Sequence, residues 1–422
     1  MPAVDTFLMS RRSVIKAVVA VAGVVAASPA IAMAQQSTGN QPGTGPAGPV
    51  NPPTTTTSPP RDFTAPSVYF GDPDILAIDP AFGDITQGNT TIARLWHGDV
   101  NGKPILWAEG PAWNAQGRYL LWSDIPNNRQ LRWLDDDGHV SVFREPSGNS
   151  NGNTFDFSGR QISFEHLNRR VVRYEHDGAI SVIADNWQGK RINSPNDGQV
   201  HADGSLWFTD PPYGQQLYEG DVDQPGGRSF VSNESGAWNA RAGQPAGFPM
   251  FKRELPTQVY RLDPDGTLDA VVRDNAIPNP NGLCFSPDYK HIYVASTGGN
   301  SQGPGSPAGK GDVWTADVSA DGKSVSNVRL WVDPVIDGVR CGPDGLRADI
   351  FGNIWMSSNA GRNVGYNGIT CWDPSGKLLG RIRLPEVIGN ITFGGPKRNR
   401  IFMAGSTSLY AVYVGVQGAG PS

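Results

Sequence analysis

Tyr119-Leu120-Leu121-Trp122-Ser123-Asp124, Gln130-Leu131-Arg132-Trp133 and Val140-Ser141-Val142-Phe143 follow one another as three short apolar and aromatic runs separated by turn residues. Short runs of this kind, rich in β-branched and aromatic residues and bounded by turn clusters, read as a β-meander. The pattern recurs. Gln161-Ile162-Ser163-Phe164-Glu165-His166 leads to Val171-Val172-Arg173-Tyr174 and Ile180-Ser181-Val182-Ile183, and Ser205-Leu206-Trp207-Phe208-Thr209-Asp210 leads to Gln258-Val259-Tyr260-Arg261-Leu262. Further copies start at His291, Asn353 and Arg400.

Equivalent positions Leu120, Ile162, Leu206, Ile292, Ile354 and Ile401 are 42, 44, 86, 62 and 47 residues apart. Beneath these steps lies a unit of about 45 residues, lengthened by Gly/Pro-rich insertions from Tyr213 to Pro256 and from Gly298 to Gly311. Both fall between the second and third strands of their units and are candidates for lids over a ligand face. Four-stranded units of this length repeated radially predict an all-β fold, a six-bladed β-propeller. The sixth copy ends near Val414 without a fourth strand, so Thr91-Ile92-Ala93-Arg94-Leu95-Trp96 is expected to complete it and close the ring from the N-terminal side. The Asp-rich turns Asp135-Asp136-Asp137-Gly138, Asp263-Pro264-Asp265-Gly266 and Ser319-Ala320-Asp321-Gly322 sit at hairpin positions and lack the distal Glu of a calcium loop, so they read as turn chemistry.

Composition agrees with this. Gly (52) and Pro (35) make up about a fifth of 422 residues, and charged residues reach only 18%, below the roughly 25% usual for soluble domains. That argues against a helix bundle or coiled coil. A net charge of −5 and the lack of any block of five or more Lys/Arg give no reason to expect nucleic acid or a polybasic membrane contact. Cys284, Cys341 and Cys371 are too few for a disulfide framework and are expected to be buried, with one optional pair as the alternative.

Ser10-Arg11-Arg12-Ser13-Val14-Ile15-Lys16, the Ala/Val-rich run Ala17 to Ala27 and the exit Ala32-Met33-Ala34 read as a twin-arginine export signal over residues 1–34. The apolar run is about 11 residues against the roughly 20 needed to span a bilayer, so no stable membrane anchor is expected. The twin-arginine translocase is then an export partner, and the destination is periplasmic or secreted. Residues 35–62 are rich in Pro, Gly, Thr and Ser and cannot bury enough surface to order themselves; they read as a disordered linker ahead of a propeller domain at 63–422.

Before each aromatic strand lies a candidate innermost strand with an acidic or amide residue near its start: Glu109, Asn153, Asn196, Asn281, Asp344 and Asn390. In a propeller these converge on the central channel from one face. Taken singly each is ordinary, since Asn and Asp before Gly are common turn residues. Together they supply hard oxygen ligands with two formal negative charges, from Glu109 and Asp344, which suits Ca²⁺ or a similar divalent ion.

Glu109-Gly-Pro-Ala-Trp, Ser194-Pro-Asn-Asp-Gly, Phe208-Thr-Asp-Pro-Pro-Tyr-Gly, Asn279-Pro-Asn-Gly-Leu and Pro343-Asp-Gly-Leu, in that order, resemble gluconolactonases of the senescence marker protein/regucalcin family. The resemblance covers about Thr91 to Val414. It implies a six-bladed propeller with one divalent cation, calcium first and Zn²⁺ or Mn²⁺ as alternatives, and hydrolysis of a small-molecule lactone. The implied metal ligands are Glu109, Asn196, Asn281 and Asp344. Ser194 stands where animal regucalcins carry an arginine, so the sequence follows the bacterial branch and the animal sugar contacts do not carry over. His166 in Phe164-Glu165-His166 is also similar to the bacterial pattern.

A bound cation can polarise the lactone carbonyl, and water needs a proton acceptor. Asp344 is the first candidate for that base, with His166 and Asp210 as alternatives. The chain has no Gly-x-Ser-x-Gly elbow to support a serine hydrolase. Other readings of the same ring are an enzyme for another lactone, ester or organophosphate, and a periplasmic sugar-acid binding propeller without turnover.

Overall fold

The computed structural model describes residues 71–213, 254–297, 310–361 and 363–421. The alternating runs become six antiparallel sheets, five of four strands and one of five, with three short two-stranded hairpins beside them. The sole described α-helix is Ala81–Ile85. The innermost strands of blades 1 to 6 are Ala108–Asn114, Ser150–Phe155, Gly198–Val200, Pro280–Phe285, Leu346–Ala348 and Ile388–Gly394. Each contacts the next, and that of blade 6 contacts that of blade 1, so the ring is closed. The fold is the six-bladed β-propeller that the repeat predicts.

Closure uses the expected strand. Ala93–His97 pairs antiparallel with Ser408–Tyr413, matching Ala93 to Ala411 and Arg94 to Tyr410. Trp96 on that strand lies 6.0 Å from the ring of Trp122 in blade 1, so closure also joins the first blade to the last. The apolar residues of the second strands fill the spaces between blades: Trp122, Trp207 and Trp355 in blades 1, 3 and 5 are all fully buried. Truncating a buried aromatic of this size costs about 3–5 kcal/mol.

Two features lie outside the repeat. Ile75–Ala77 adds a fifth strand to blade 5 by pairing with Leu378–Arg383, held by a buried ion pair between Asp74 and Arg383 (2.9 Å). The C-terminal segment leaves blade 6 and crosses the end of the channel away from the starts of the innermost strands. Ile350 N–H donates to Gln417 O and Ala419 N–H to Ala348 O in blade 5, and Gln199 in blade 3 donates to Pro421 O (3.2 Å).

The Asp-rich turns are locally satisfied: Asp137, Asp265 and Asp321 each accept the backbone N–H two residues on, at 2.9, 2.9 and 3.1 Å. Cys284, Cys341 and Cys371 are free and buried. The two insertions leave from where they are expected, between paired ends Asp210 and Gln258 and between Ser296 and Asp312. Their interiors lie outside the described residues, as do the segments expected to be a twin-arginine signal and a linker. Among the described residues no helix is long and apolar enough to cross a membrane.

Candidate metal centre and active site

Innermost strands approach each other so closely that backbone meets backbone. A Cβ at Gly110 would lie 2.2 Å from Asn151 O and 2.7 Å from Gly152 Cα. One at Gly152 would lie 2.4 Å from Asn196 O, and one at Gly282 would lie 2.3 Å from Asp344 O. Hydrogen bonds from Gly152 N–H to Asn196 O (2.8 Å) and from Gly345 N–H to Gly389 O (2.9 Å) repeat the relation. Thr209 Oγ1 bridges blades 3 and 4 by donating to Asn281 O (2.7 Å).

These contacts define one level round the channel: Glu109, Asn151, Asn196, Asn281, Asp344 and Gly389. All four sequence-derived ligand candidates stand on it. Two members of the expected ring do not. Asn153 lies two residues further along its strand, where its amide donates to Gly110 O and Ser123 Oγ and accepts from Gln130, Gln161 and Ser163. Asn390 lies one residue further, donating to Asp197 Oδ2 (3.2 Å). The blade 2 side chain on the level is Asn151, and blade 6 contributes only the hydrogen of Gly389, where a Cβ would come 2.6 Å from Glu109 Oε1.

Glu109 is buried, and its Oε2 accepts the N–H of Gly110 (2.7 Å). Asn281 donates Nδ2 to Thr297 Oγ1 (2.7 Å), which fixes its amide plane and leaves its carbonyl oxygen as an acceptor. Asn196 is buried, and its Nδ2 has no hydrogen-bond partner among the described residues. That unpaired atom is a donor suited to an oxygen of a substrate, whereas the atom Asn196 would offer a cation is its Oδ1. Asp344 is half-buried, with its backbone N–H given to Ser357 Oγ (2.8 Å). Two carboxylates and amide oxygens on one level form a hard-oxygen donor set that fits a divalent cation of the calcium type. Among the described residues no group of three or more His, Cys, Asp or Glu gathers as a metal centre, and the axial set itself is two carboxylates with amides.

His166 and Asp210 open on the same face as this level, each at the end of a second strand. His166 is buried, and its backbone N–H donates to Asn149 O (3.3 Å). Asp210 is fully buried and accepts the N–H of Asn193 (2.8 Å), on the segment leading into the innermost strand. Asp124 in blade 1 does the same for Leu106 (3.1 Å), besides its buried ion pair with Arg129 (2.9 Å). Glu165 in blade 2 pairs with Arg170 (2.7 Å). Asp210 thus belongs to a repeated brace. Burial, and then the neighbouring Asp210 charge, push the Tyr260 phenol upward.

Three axial residues escaped sequence reasoning. Asn151 could have been found by aligning copies on the glycine that follows it. Asp197 lies within Ser194-Pro-Asn-Asp-Gly, directly after Asn196. Arg347 carries no sequence signal; its guanidinium pairs with Asp197 at 3.2 Å, with 4% of the Arg347 side chain and none of that of Asp197 exposed.

A family profile described as SMP-30/Gluconolactonase/LRE-like region matches residues 107–407, which take in all six innermost strands. A gluconolactonase of Zymomonas mobilis is 29% identical over 337 residues, covering 74% of this chain and 80% of its own. A pentonolactonase of Haloferax volcanii is 26% identical over 299 residues, 70% and 80% of the two chains. The crystal structure of a gluconolactonase from Xanthomonas campestris superposes with a TM-score of 0.63 at 29% identity, covering 81% of this chain and 94% of that one. A calcium-binding regucalcin from Agrobacterium tumefaciens shares the fold, with a TM-score of 0.52 at 17% identity over 77% and 95% of the chains. With the axial motifs in place and the match running through every blade, this chain is a member of the SMP-30/gluconolactonase/LRE-like family.

Proposed function

We propose that the protein hydrolyses a sugar lactone of the gluconolactone class to its aldonic acid, with one divalent cation, calcium first, held by Glu109, Asn196, Asn281 and Asp344. The observation that carries this is the single axial level where two acids meet amides whose oxygens are left for a ligand. The Zymomonas and Haloferax relatives are named for lactone hydrolysis, which supports the same chemistry here.

When bound, the cation polarises the lactone carbonyl and stabilises charge developing on its oxygen. Glu109 supplies charge and is aligned by Gly110 N–H. Asn281 is aligned by Thr297 and presents a neutral oxygen. Asp344, only half-buried, takes the proton from the attacking water. His166 is the alternative acceptor. Asp210 is the weakest of the three, because its carboxylate already braces Asn193. The insertions after Asp210 and Ser296 leave from blades 3 and 4 on the site's face and set substrate choice. We also propose export through the twin-arginine pathway to the periplasm or beyond.

The test is proton release from glucono-1,5-lactone by the full chain, corrected for spontaneous hydrolysis. Saturable turnover supports the reading. Tight binding of gluconate with no turnover would make the ring a binding protein instead.

A further inference from the structure

We propose that Arg347 limits the strength of cation binding at the axial site by cancelling a third carboxylate, Asp197. The inference rests on the function proposed above.

Asp197 follows Asn196 directly, and Arg347 lies three residues after Asp344. Asp197 Oδ2 accepts from Arg347 Nη1 (3.2 Å) and from Asn390 Nδ2 (3.2 Å); Oδ1 accepts from Gly198 N–H (2.8 Å) and Arg347 Nη2 (3.4 Å). Blade 3, which carries Asp197, and blade 6, which carries Asn390, stand opposite each other in a ring of six. A direct bond between their innermost strands therefore crosses the axis, and the ion pair sits on the axis beside the site. With both Asp197 oxygens engaged, the carboxylate acts on a cation through its field and not as a ligand. Inside a low-dielectric interior such a field is only weakly screened.

The charge ladder follows. Glu109 and Asp344 bring two negative charges, Asp197 a third, and Arg347 one positive, for a net −2. Arg347→Met makes the axis −3, Asp197→Asn makes it −1, and the double variant returns it to −2. A purely structural role for the pair predicts something else: every variant misplaces Asn196 and Asp344, and every variant binds more weakly.

The experiment is calorimetric titration of Ca²⁺, repeated with Mn²⁺, into chelator-stripped full-length protein and the three variants, with the ion-induced rise in Tm as a second readout. The expected results are binding about tenfold or more weaker in Asp197→Asn, about tenfold or more tighter in Arg347→Met despite a lower ion-free Tm, and within about threefold of the unaltered protein in the double variant. Should Arg347→Met not fold, recovery of affinity from Asp197→Asn to the double variant decides alone. Weakening in all three, or no change in any, overturns the inference and leaves the proposed function standing. No binding of either ion by the unaltered protein overturns both.

Discussion

A methyl group at Gly282 has nowhere to go. Its carbon would lie 2.3 Å from Asp344 O and 2.7 Å from Gly345 Cα, and both obstacles are backbone. Gly282→Ala should therefore destabilise the protein by about 2–3 kcal/mol in denaturant titration and lower turnover as well, because the strand it displaces carries Asp344. Wild-type values for both would show the approach to be looser than described. In the sequence, Asn-Gly and Asp-Gly pairs read as turns, and two of the four ligand candidates, Asn281 and Asp344, stand directly before such a glycine. The glycines themselves serve close contact between strands, a relation no single motif displays, and so Asn153 and Asn390 were placed on the ring while Asn151 was overlooked. Asp344→Asn keeps an oxygen for a cation and removes the base. It should retain the fold and the Ca²⁺-induced rise in Tm while kcat falls about 10²–10⁴-fold; near-normal kcat would pass the role of base to His166.

Elements were legible in proportion to their periodicity. The strand Ala93–His97 was readable because it alternates and because the sixth copy lacked a partner. The fifth strand of blade 5, Ile75–Ala77, is three residues long, too short for alternation to register. The C-terminal strap has no pattern; Gly418 and Gly420 fit because a Cβ at the first would strike Phe393 Cβ at 2.4 Å and one at the second Gln199 Nε2 at 2.8 Å. Ending the chain after Val414 removes the bonds to Ala348, Ile350 and Gln199 and the buried side chain of Val416. At about 1 kcal/mol per lost hydrogen bond plus the burial of one valine, the loss should be about 3–5 kcal/mol in denaturant titration. Unchanged stability would show the strap to be a passive tail.

At the scale of the whole molecule, burial between blades sets the alkaline limit of stability. Burial pushes the phenols of Tyr174 and Tyr293 up to about 12 from an ordinary 10.0, and pushes those of Tyr260 and Tyr410 and the Cys284 thiol upward too. A raised pKa in the folded state means that the fold holds these protons more tightly than the unfolded chain. The phenols' contribution is therefore complete below about pH 10 and is lost as pH climbs through 12, while that of the thiol, with an ordinary value of 9.0, starts to fall from about pH 9. Tm should be level in this respect up to about pH 9 and fall steeply above about pH 10; a flat profile to about pH 11.5 would contradict the assignment. The six-bladed ring itself was readable from spacing alone, whereas the chemistry at its axis depends on side chains converging from blades far apart in sequence. The most direct test of that chemistry is the rate of glucono-1,5-lactone hydrolysis by full-length protein before chelation, after chelation, and after restoring Ca²⁺, Zn²⁺ or Mn²⁺ singly. Loss of turnover on chelation and its return with a divalent ion is the predicted result; turnover that survives complete removal of metal would contradict a cation-dependent axial site.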